Sequence, residues 1–307
     1  MVFETPVLFL IFNRPDATRL VWQEIQILKP ARLFIAADGP TPNKENEKAA
    51  CLEVKDIVSN IHWPCNVRTL YREEHLGCKM AVSSAIDWFF SKVEYGIILE
   101  DDCLPSISFF TFCEAMLIQF KNHPDIMHIT GNNFQHHHTR GDGSYYFSKY
   151  SHIWGWATWK RAWSTYSLDL CEWDHFSQTN DFTNLFNSKR ELRYWMRKFN
   201  RYRLSRNVQN YWSLQWQYAC WYSGGKAIIP QQNLVTNIGI GSGTNMTIKL
   251  KHLEIDRKMF PAPYLNPTND RIDRAADYYT FKTIFYYKGS LWSRIQHRFN
   301  RWKKLMN

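Results

Sequence analysis

The stretch GIILEDDCLPS, residues 96–106, joins a short apolar run to three adjacent carboxylates, Glu100, Asp101 and Asp102. The apolar run has the length and composition of a buried strand. Three like charges side by side repel one another, and a buried strand gains nothing from carrying them. An acidic strand-to-helix turn is the other interpretation, and Pro105 together with the apolar run makes it less favoured. The stretch therefore predicts a strand that ends in a site for a cation or a positively polarised ligand.

Strand-like and helix-like segments alternate through the first 130 residues. Short apolar runs predict strands at residues 6–12, 32–38, 65–71, 95–100 and 125–131. Apolar residues at helical spacing predict helices at residues 16–28, 43–60, 79–93 and 108–122. Short links between alternating strands and helices are typical of a parallel sheet covered by helices. We therefore predict an α/β fold with a mostly parallel, Rossmann-like sheet.

The alternation ends near Gly131. Residues 132–143 read as a polar loop whose three adjacent histidines could form a metal site, but consecutive side chains diverge, which favours a surface loop. Residues 144–163 are aromatic and too irregular for a long helix. Further on, the pattern predicts a basic helix at 181–206, a glycine-terminated helix at 210–225, and strands at 226–230 and 233–239.

Charge and cysteine content limit the classes of partner and compartment. Lys and Arg number 38 against 28 Asp and Glu, and the net charge of +10 favours a polyanionic partner such as a nucleotide diphosphate or an anionic membrane. Nucleic acid is disfavoured, because no recognised binding module carries the basic residues. The 7 cysteines form no CxxC pair, so reduced thiols in a cytoplasmic protein are predicted.

No apolar segment approaches the roughly 20 residues that a membrane-spanning helix needs. The apolar run near the N-terminus is short and lacks a basic leader, so a strand rather than a signal peptide is predicted there. Residues 289–307 place Trp292, Phe299 and Trp302 on one helical face and basic side chains on the rest. This pattern predicts a helix at an anionic membrane surface, with a helix docked on the domain as the alternative. A soluble or peripheral protein at the inner face of the membrane is therefore expected.

Polar residues follow several of the predicted strands. They are Asn13 and Arg14 after the first strand, Asp38 after the second, and Lys79 after the third. Ligands of open α/β sheets bind beyond the carboxyl ends of the strands. Mg²⁺ and Mn²⁺ take carboxylate oxygens together with phosphate oxygens and water. A divalent ion completed by a diphosphate therefore fits the carboxylate cluster.

The sequence resembles the GT-A glycosyltransferases, and most closely the bacterial family-2-like proteins related to the N-acetylglucosaminyltransferase I branch. The likeness lies in PVLFLIFNRPDAT, ADGP, HLGCKMAVSSAIDWFF, IILEDDCLPSISFFTFCEAML, HIWGWATWKRAW, WSLQWQYACW and IIPQQNLVTNIG, spread over about residues 6–241. It implies a metal-dependent hexosyl- or N-acetylhexosaminyltransferase for polysaccharide synthesis. Such an enzyme would move a sugar from a nucleotide diphosphate, with UDP as the expected nucleotide, to a hydroxyl of a glycan or lipid-linked saccharide.

The resemblance also implies roles for single residues. Asp102, last in the EDD version of the DxD motif, would hold Mn²⁺ or Mg²⁺ on the donor diphosphate, with Asp101 beside the ribose or a metal-bound water and Glu100 near the sugar. The residues implied to contact the nucleotide are Asn13, Arg14, Asp38 and Lys79. The residues implied to shape the sugar and acceptor pocket are Trp154, Gly155, Trp156 and Trp212.

Two positions depart from the family pattern. Relatives commonly carry an acidic residue where WSLQW has Ser213, and serine is a poor general base, so Asp174 is the alternative catalytic base. Met246 stands where relatives often have a histidine. These departures leave open a degenerate glycan-binding or scaffold subunit. A sugar-nucleotide pyrophosphorylase is a further alternative, although NRPDATR lacks the glycine-rich loop usual in that class.

The resemblance divides the chain into three parts. Residues 1–131 would form the nucleotide-sugar-binding half, residues 132–245 the acceptor and catalytic half of the same domain, and residues 246–307 a C-terminal extension with the basic amphipathic helix.

Overall fold

The computed structural model describes residues 2–136, 138–205, 210–239 and 255–286. The strands in these ranges are β1 (Val7–Ile11), β2 (Arg32–Ala37), β3 (Asn66–Tyr71), β4 (Tyr95–Glu100), β5 (Cys103–Pro105), β6 (Ile126–Thr130), β7 (Tyr145–Ser148), β8 (Trp156–Trp159), β9 (Lys226–Pro230) and β10 (Val235–Asn237). The helices are α1 (Pro15–Leu28), α2 (Glu45–Ser59), α3 (Gly77–Phe90), α4 (Ile107–Gln119), α5 (Lys160–Trp163), α6 (Trp173–Phe176), α7 (Asn180–Asn184), α8 (Lys189–Leu204), α9 (Ser213–Tyr222) and α10 (Arg274–Thr280), which continues into a short π-helix at Phe281–Phe285.

Eight strands form one sheet in the order β3-β2-β1-β4-β8-β6-β9-β7. The pairs β2–β3, β1–β2, β1–β4 and β6–β9 are parallel, whereas β8 and β7 run antiparallel to their neighbours. The predicted α/β fold with a mostly parallel sheet is therefore confirmed. β5 and β10 form a separate antiparallel pair next to the carboxylate cluster.

Helices cover both faces of the sheet, which explains why β1 is apolar at every position. Val7, Phe9 and Ile11 pack in one core with α1, α2 and α4. Leu8 and Leu10 pack in a second core with α3, α5 and α9. A strand covered on both faces has no solvent-facing positions to fill with polar residues. A third core joins α6, α7, α8 and α9 beside the sheet.

The irregular aromatic segment holds two strands that the sequence did not predict. β7 and β8 each have four buried residues, so neither shows the alternation that marks a half-buried strand. β8 lies between β4 and β6 in the sheet and pairs with both strands, although both are far from it in sequence. Strands from residues 1–131 and strands from residues 132–239 therefore occur in the same eight-stranded sheet.

Some predictions fall outside the described residues: the basic helix within 289–307 and the position of Met246. Among the residues that the structure describes, no helix is both long and apolar enough to cross a membrane.

Candidate functional site

A cleft of about 580 Å³ opens at the carboxyl ends of β1, β2 and β4. The chain leaves β1 through Phe12, Asn13 and Arg14, all of which line the cleft. Asp38 lines it after β2, and Glu100 and Asp101 line it where β4 ends. The parallel strands thus bring together the polar residues that the sequence placed after them, as expected for an open α/β sheet.

Arg14 and the carboxylate pair form the electrostatic centre of this cleft. One guanidinium nitrogen, Nη1, lies 3.0 Å from Oδ1 of Asp101 and 2.7 Å from Oδ2 of Asp102. Asp101 also accepts a hydrogen bond of 3.0 Å from the backbone N–H of Phe12. The cluster therefore presents two carboxylates that converge on one cation.

Burial opposes ionisation in the cluster. The pKa of Glu100 is raised chiefly by burial and further by the charges of Asp102 and Asp101, while Arg14 acts in the opposite direction. Burial also raises the pKa of Asp101, with Arg14 again opposing it. A second positive charge at this site would therefore stabilise carboxylates that a single arginine does not fully compensate.

Asp38 connects two loops at the other side of the cleft. Its carboxylate accepts hydrogen bonds of 3.0 Å from the backbone N–H groups of Gly39, Leu76 and Gly77. A Cβ on Gly39 would lie 2.4 Å from the backbone of Glu74, so the close contact between the loops requires glycine here. Asp38 thus shapes the wall of the cleft as well as lining it.

Several other cleft residues were not among the candidate site residues of the sequence analysis. They are Thr41, Lys44, Glu47, Arg72, His75 and Asn210. Glu47 accepts from the backbone N–H of Thr41 at 2.7 Å and from the Asn13 side chain at 3.1 Å. These residues come from loops and helix starts with no distinctive motif, and only the fold brings them to one place. The chain positions after strand ends were the one clue that applied to Arg72 and His75.

The predicted residues Lys79, Trp156 and Trp212 do not line the cleft. Lys79 lies in the first turn of α3, where its backbone N–H donates to Oδ1 of Asn210 at 3.0 Å. Trp156 and Trp212 are buried in the second core, with ring centroids 5.6 Å apart. Rings enclosed in this way have no free face on which a sugar could stack. The segment that carries them therefore contributes packing to the structure.

Gly155 has a positive φ of 66°, and a Cβ there would lie 2.7 Å from Val235, which explains the glycine sterically. Trp154 and Ser213 line a second pocket, not the cleft. Asp174 is exposed on α6 and forms an ion pair with Arg203. The catalytic and substrate-binding roles of these residues remain predictions.

The donor atoms at the cleft fit a divalent cation only in part. Among the described residues, no group of three or more His, Cys, Asp or Glu side chains is placed to hold a metal ion. Asp101 and Asp102 nevertheless converge on one positively charged nitrogen. Two carboxylates suffice for Mg²⁺ when substrate phosphates and water supply the other ligands. The residues therefore fit an ion that binds together with a phosphorylated substrate.

We expect Arg14→Met to destabilise the protein and to make its stability depend on divalent cations. The change leaves Asp101 and Asp102 without their counter-ion, and since the Arg14 side chain is 34% exposed, the expected loss is about 2 kcal/mol, below that of a fully buried pair. Millimolar Mg²⁺ or Mn²⁺ should restore more of the melting temperature in this variant than in the parent protein.

Arg19→Met is the matched control, because Arg19 also pairs with two carboxylates, Asp16 and Glu53, but at the exposed surface. We expect this control to change stability by less than about 0.5 kcal/mol and to show no added response to the metal. An equal metal response in both arginine variants would contradict a cation site at the cleft.

No protein-family model matches the chain, and no curated protein matches it. Solved structures share part of its fold. HddC from Yersinia pseudotuberculosis is 12% identical with a TM-score of 0.32, over 53% of this chain and 80% of that one. The 4-diphosphocytidyl-2C-methyl-D-erythritol synthase from Anaerococcus prevotii is 8% identical with a TM-score of 0.34, over 53% and 74%. A cytidylyltransferase from Leptospira borgpetersenii is 11% identical with a TM-score of 0.32, over 53% and 63%.

These comparisons contradict the family predicted from the sequence. One of the three structures is named as a cytidylyltransferase and another as a diphosphocytidyl-methylerythritol synthase, and none is named as a glycosyltransferase. The predictions that the chain belongs to the glycosyltransferases and transfers a sugar from UDP to a hydroxyl are therefore wrong. The likeness is distant and covers about half of the chain, so it assigns no particular substrate to this protein.

Proposed function

We propose that the chain is a nucleotidyltransferase of the sugar-nucleotide pyrophosphorylase class. It binds a nucleoside triphosphate in the cleft and joins the nucleotidyl group to a sugar phosphate, with release of pyrophosphate. The observation that carries the proposal is the convergence on Arg14 of Asp101, which lines the cleft at the carboxyl ends of the strands, and of its neighbour Asp102. That arrangement combines a divalent-cation site with a cationic side chain for phosphate.

Three cationic side chains in the cleft support a polyphosphate ligand, provided that a divalent cation compensates the carboxylates that also line it. Arg14, Lys44 and Arg72 all line it, on the loops that follow β1, β2 and β3. A triphosphate needs several positive charges to balance its own, and a divalent cation supplies two of them. Arginine also provides several donors that match phosphate oxygens in geometry.

The size of the cleft and the residues of its wall support a ligand that contains a nucleoside. Its volume of about 580 Å³ falls within the range of pockets that hold a whole small ligand. The Glu47 carboxylate lines the cleft close to Asn13 and is an acceptor suited to ribose hydroxyls. The apolar residues Leu10, Ala36 and Val82 form the deeper wall, against which a flat base can pack.

In this reaction a phosphate oxygen of the sugar phosphate attacks the α-phosphorus of the triphosphate, and the bond to pyrophosphate breaks. Asp101 and Asp102 would hold the divalent cation, which neutralises negative charge on the phosphates when it is bound. Arg14 would then turn from the carboxylates to the phosphates, since the cation replaces it as their counter-charge. Asp38 holds the opposite loops in place, so that the cleft keeps its width around the ligand.

Exchange of labelled pyrophosphate into nucleoside triphosphate tests the proposal. Each common nucleoside triphosphate is incubated with the protein, the matching nucleoside diphosphate sugars, pyrophosphate and Mg²⁺ or Mn²⁺. We expect label to enter one triphosphate, and only when a divalent cation is present. Nucleotide binding without exchange for any base would overturn the enzymatic proposal and favour a non-catalytic binding subunit.

A further inference from the structure

A second pocket lies beside the nucleotide cleft. It has a volume of about 330 Å³, and its walls include the partly exposed aromatic side chains of Trp154, Tyr211 and Phe285. The segment before α9 separates the two spaces, since Asn210 lines the cleft whereas Tyr211 lines the second pocket. The second pocket therefore has its own walls and its own chemistry.

Among the described residues, Lys198 of α8 supplies the one cationic group in the wall of this pocket. Its Nζ lies 5.0 Å from the ring centroid of Trp195, and 5.8 Å from those of Tyr194 and Phe285. Within the part of the chain that the structure describes, no carboxylate forms an ion pair with it. Burial lowers the pKa of Lys198 to about 8.

Lys149, which is fully buried whereas Lys198 is half-buried, shows what the usual compensation looks like in this protein. Nζ of Lys149 lies 2.9 Å from Oε1 of Glu191 and 3.8 Å from Oδ2 of Asp277. A buried ammonium is ordinarily paired in this way, because an isolated charge in an apolar environment is costly. Lys198 has aromatic faces in place of carboxylates, and these compensate a cation only weakly.

We infer that the second pocket binds a small organic anion, with its single carboxylate or phosphate on Lys198 and a flat apolar face against the aromatic walls. The charge of the ligand completes an ion pair that the protein leaves open. The aromatic rings favour a ligand with a ring of its own, since stacking on such walls needs a flat face. The site is separate from the cleft, and the inference holds whatever reaction the cleft performs.

Direct binding of phenyl phosphate, measured by quenching of tryptophan fluorescence and by calorimetry, tests the inference. Benzoate, glucose 1-phosphate, neutral benzyl alcohol and inorganic phosphate complete the set. We expect saturable binding of the ring-bearing anions, phenyl phosphate and benzoate. The one that binds more tightly identifies phosphate or carboxylate as the anionic group that the pocket prefers. Benzyl alcohol and inorganic phosphate should each bind at least tenfold more weakly, because each lacks one of the two features.

Lys198→Met should weaken the binding of these anions at least tenfold, the loss expected for a charge-assisted interaction. It should leave the melting temperature unchanged or raise it, because methionine fills similar space without an unpaired charge. Lys282→Met is the matched control, since Lys282 also lies over an aromatic ring, that of Tyr278, but at the exposed surface. Arg14→Met distinguishes binding in the second pocket from binding in the cleft, because a probe that bound in the cleft would lose affinity in that variant.

Binding should also weaken as the pH rises from 7 to 9, since the neutral amine holds no anion. The other titratable groups around Lys198 keep one state over this interval: burial lowers the pKa of His152 to about 3, raises that of Tyr194 to about 12, and raises that of Tyr211. Equal affinity in the Lys198→Met and Lys282→Met variants would overturn the inference. So would a fall in melting temperature of Lys198→Met alone, which indicates a structural lysine, or saturable binding by none of the probes.

Discussion

Replacing Asp102 with asparagine is expected to lower metal-dependent pyrophosphate exchange about 100-fold or more, with the fold intact. Oδ2 of Asp102 lies 2.7 Å from Nη1 of Arg14, the position at which a divalent cation would meet both carboxylates. Asparagine keeps the shape and one oxygen but removes the negative charge, and losses of this order accompany the removal of charged groups that hold a metal.

The backbone around Asp102 explains why the fold should tolerate this change. The carbonyl oxygen of Asp102 accepts a hydrogen bond of 2.8 Å from the N–H of Ile238, and the β5–β10 pair continues beside it. These contacts use main-chain atoms, so they persist in the variant. A Cβ on Gly239 would lie 2.4 Å from Oδ2 of Asp102, which shows how closely the neighbouring chain confines this side chain.

Exchange rates are measured over a range of Mg²⁺ and Mn²⁺ concentrations, together with the circular dichroism spectrum. Asp16→Asn is the matched control, because Asp16 carries the same charge on α1 but is fully exposed to solvent. We expect the control to exchange pyrophosphate at the parent rate. Full activity of the Asp102→Asn variant at every metal concentration would remove the assignment of this cluster as the cation site.

The sequence predicted the part of the site that depends on strand order. A buried strand with no polar positions has to be covered on both faces, and parallel strands present their carboxyl ends at one edge. These two rules were enough to bring Arg14 and Asp38 to the edge that carries Asp101. These rules could not predict the contact of Arg14 with both carboxylates, because that contact depends on the conformation of the loop between β1 and α1.

The aromatic segments were beyond prediction for a different reason. A tryptophan has the same local signature whether its ring lines a pocket or fills a core. Trp154 lines the second pocket, whereas Trp156, two residues on, is fully buried in β8 between β4 and β6. Whether a ring lines a pocket or fills the core depends on strand pairing between residues far apart in sequence. Local composition does not indicate that pairing.

Lys149→Met is expected to lower the free energy of unfolding by about 3–5 kcal/mol, the usual cost of removing one partner from a buried ion pair. The Lys149 side chain is 2% exposed, and that of Glu191 is fully buried. Without the ammonium, Glu191 and Asp277 remain as two neighbouring carboxylates in the core. The network also joins β7, α8 and α10, because Ser148 and the backbone N–H of Lys149 both donate to Asp277.

The effect of pH on this variant follows from the same charges. Burial raises the pKa of Asp277 to about 6 even though Lys149 opposes that shift. Loss of Lys149 raises the pKa further, so Asp277 in the folded variant binds a proton more readily than in the unfolded chain. Such a group favours folding at low pH and loses that contribution as the pH rises through the folded pKa. The gap in stability between the parent and the variant should therefore narrow as the pH falls from 8 to 5.

Urea unfolding of Lys149→Met and Lys198→Met at pH 8 and pH 5 measures both effects on one scale. The two substitutions are chemically identical, but Lys149 is fully buried whereas Lys198 is half-buried, and among the described residues only Lys149 has carboxylate partners. We expect a large loss for Lys149→Met and none for Lys198→Met. A similar loss in both variants would mean that burial of the alkyl chain governs the effect, and no loss at Lys149 would contradict the ion pair as the link between α8 and α10. A large loss for Lys149→Met together with no loss for Lys198→Met would show that Lys149 stabilises the fold and that the charge of Lys198 does not, as expected if Lys198 binds a ligand.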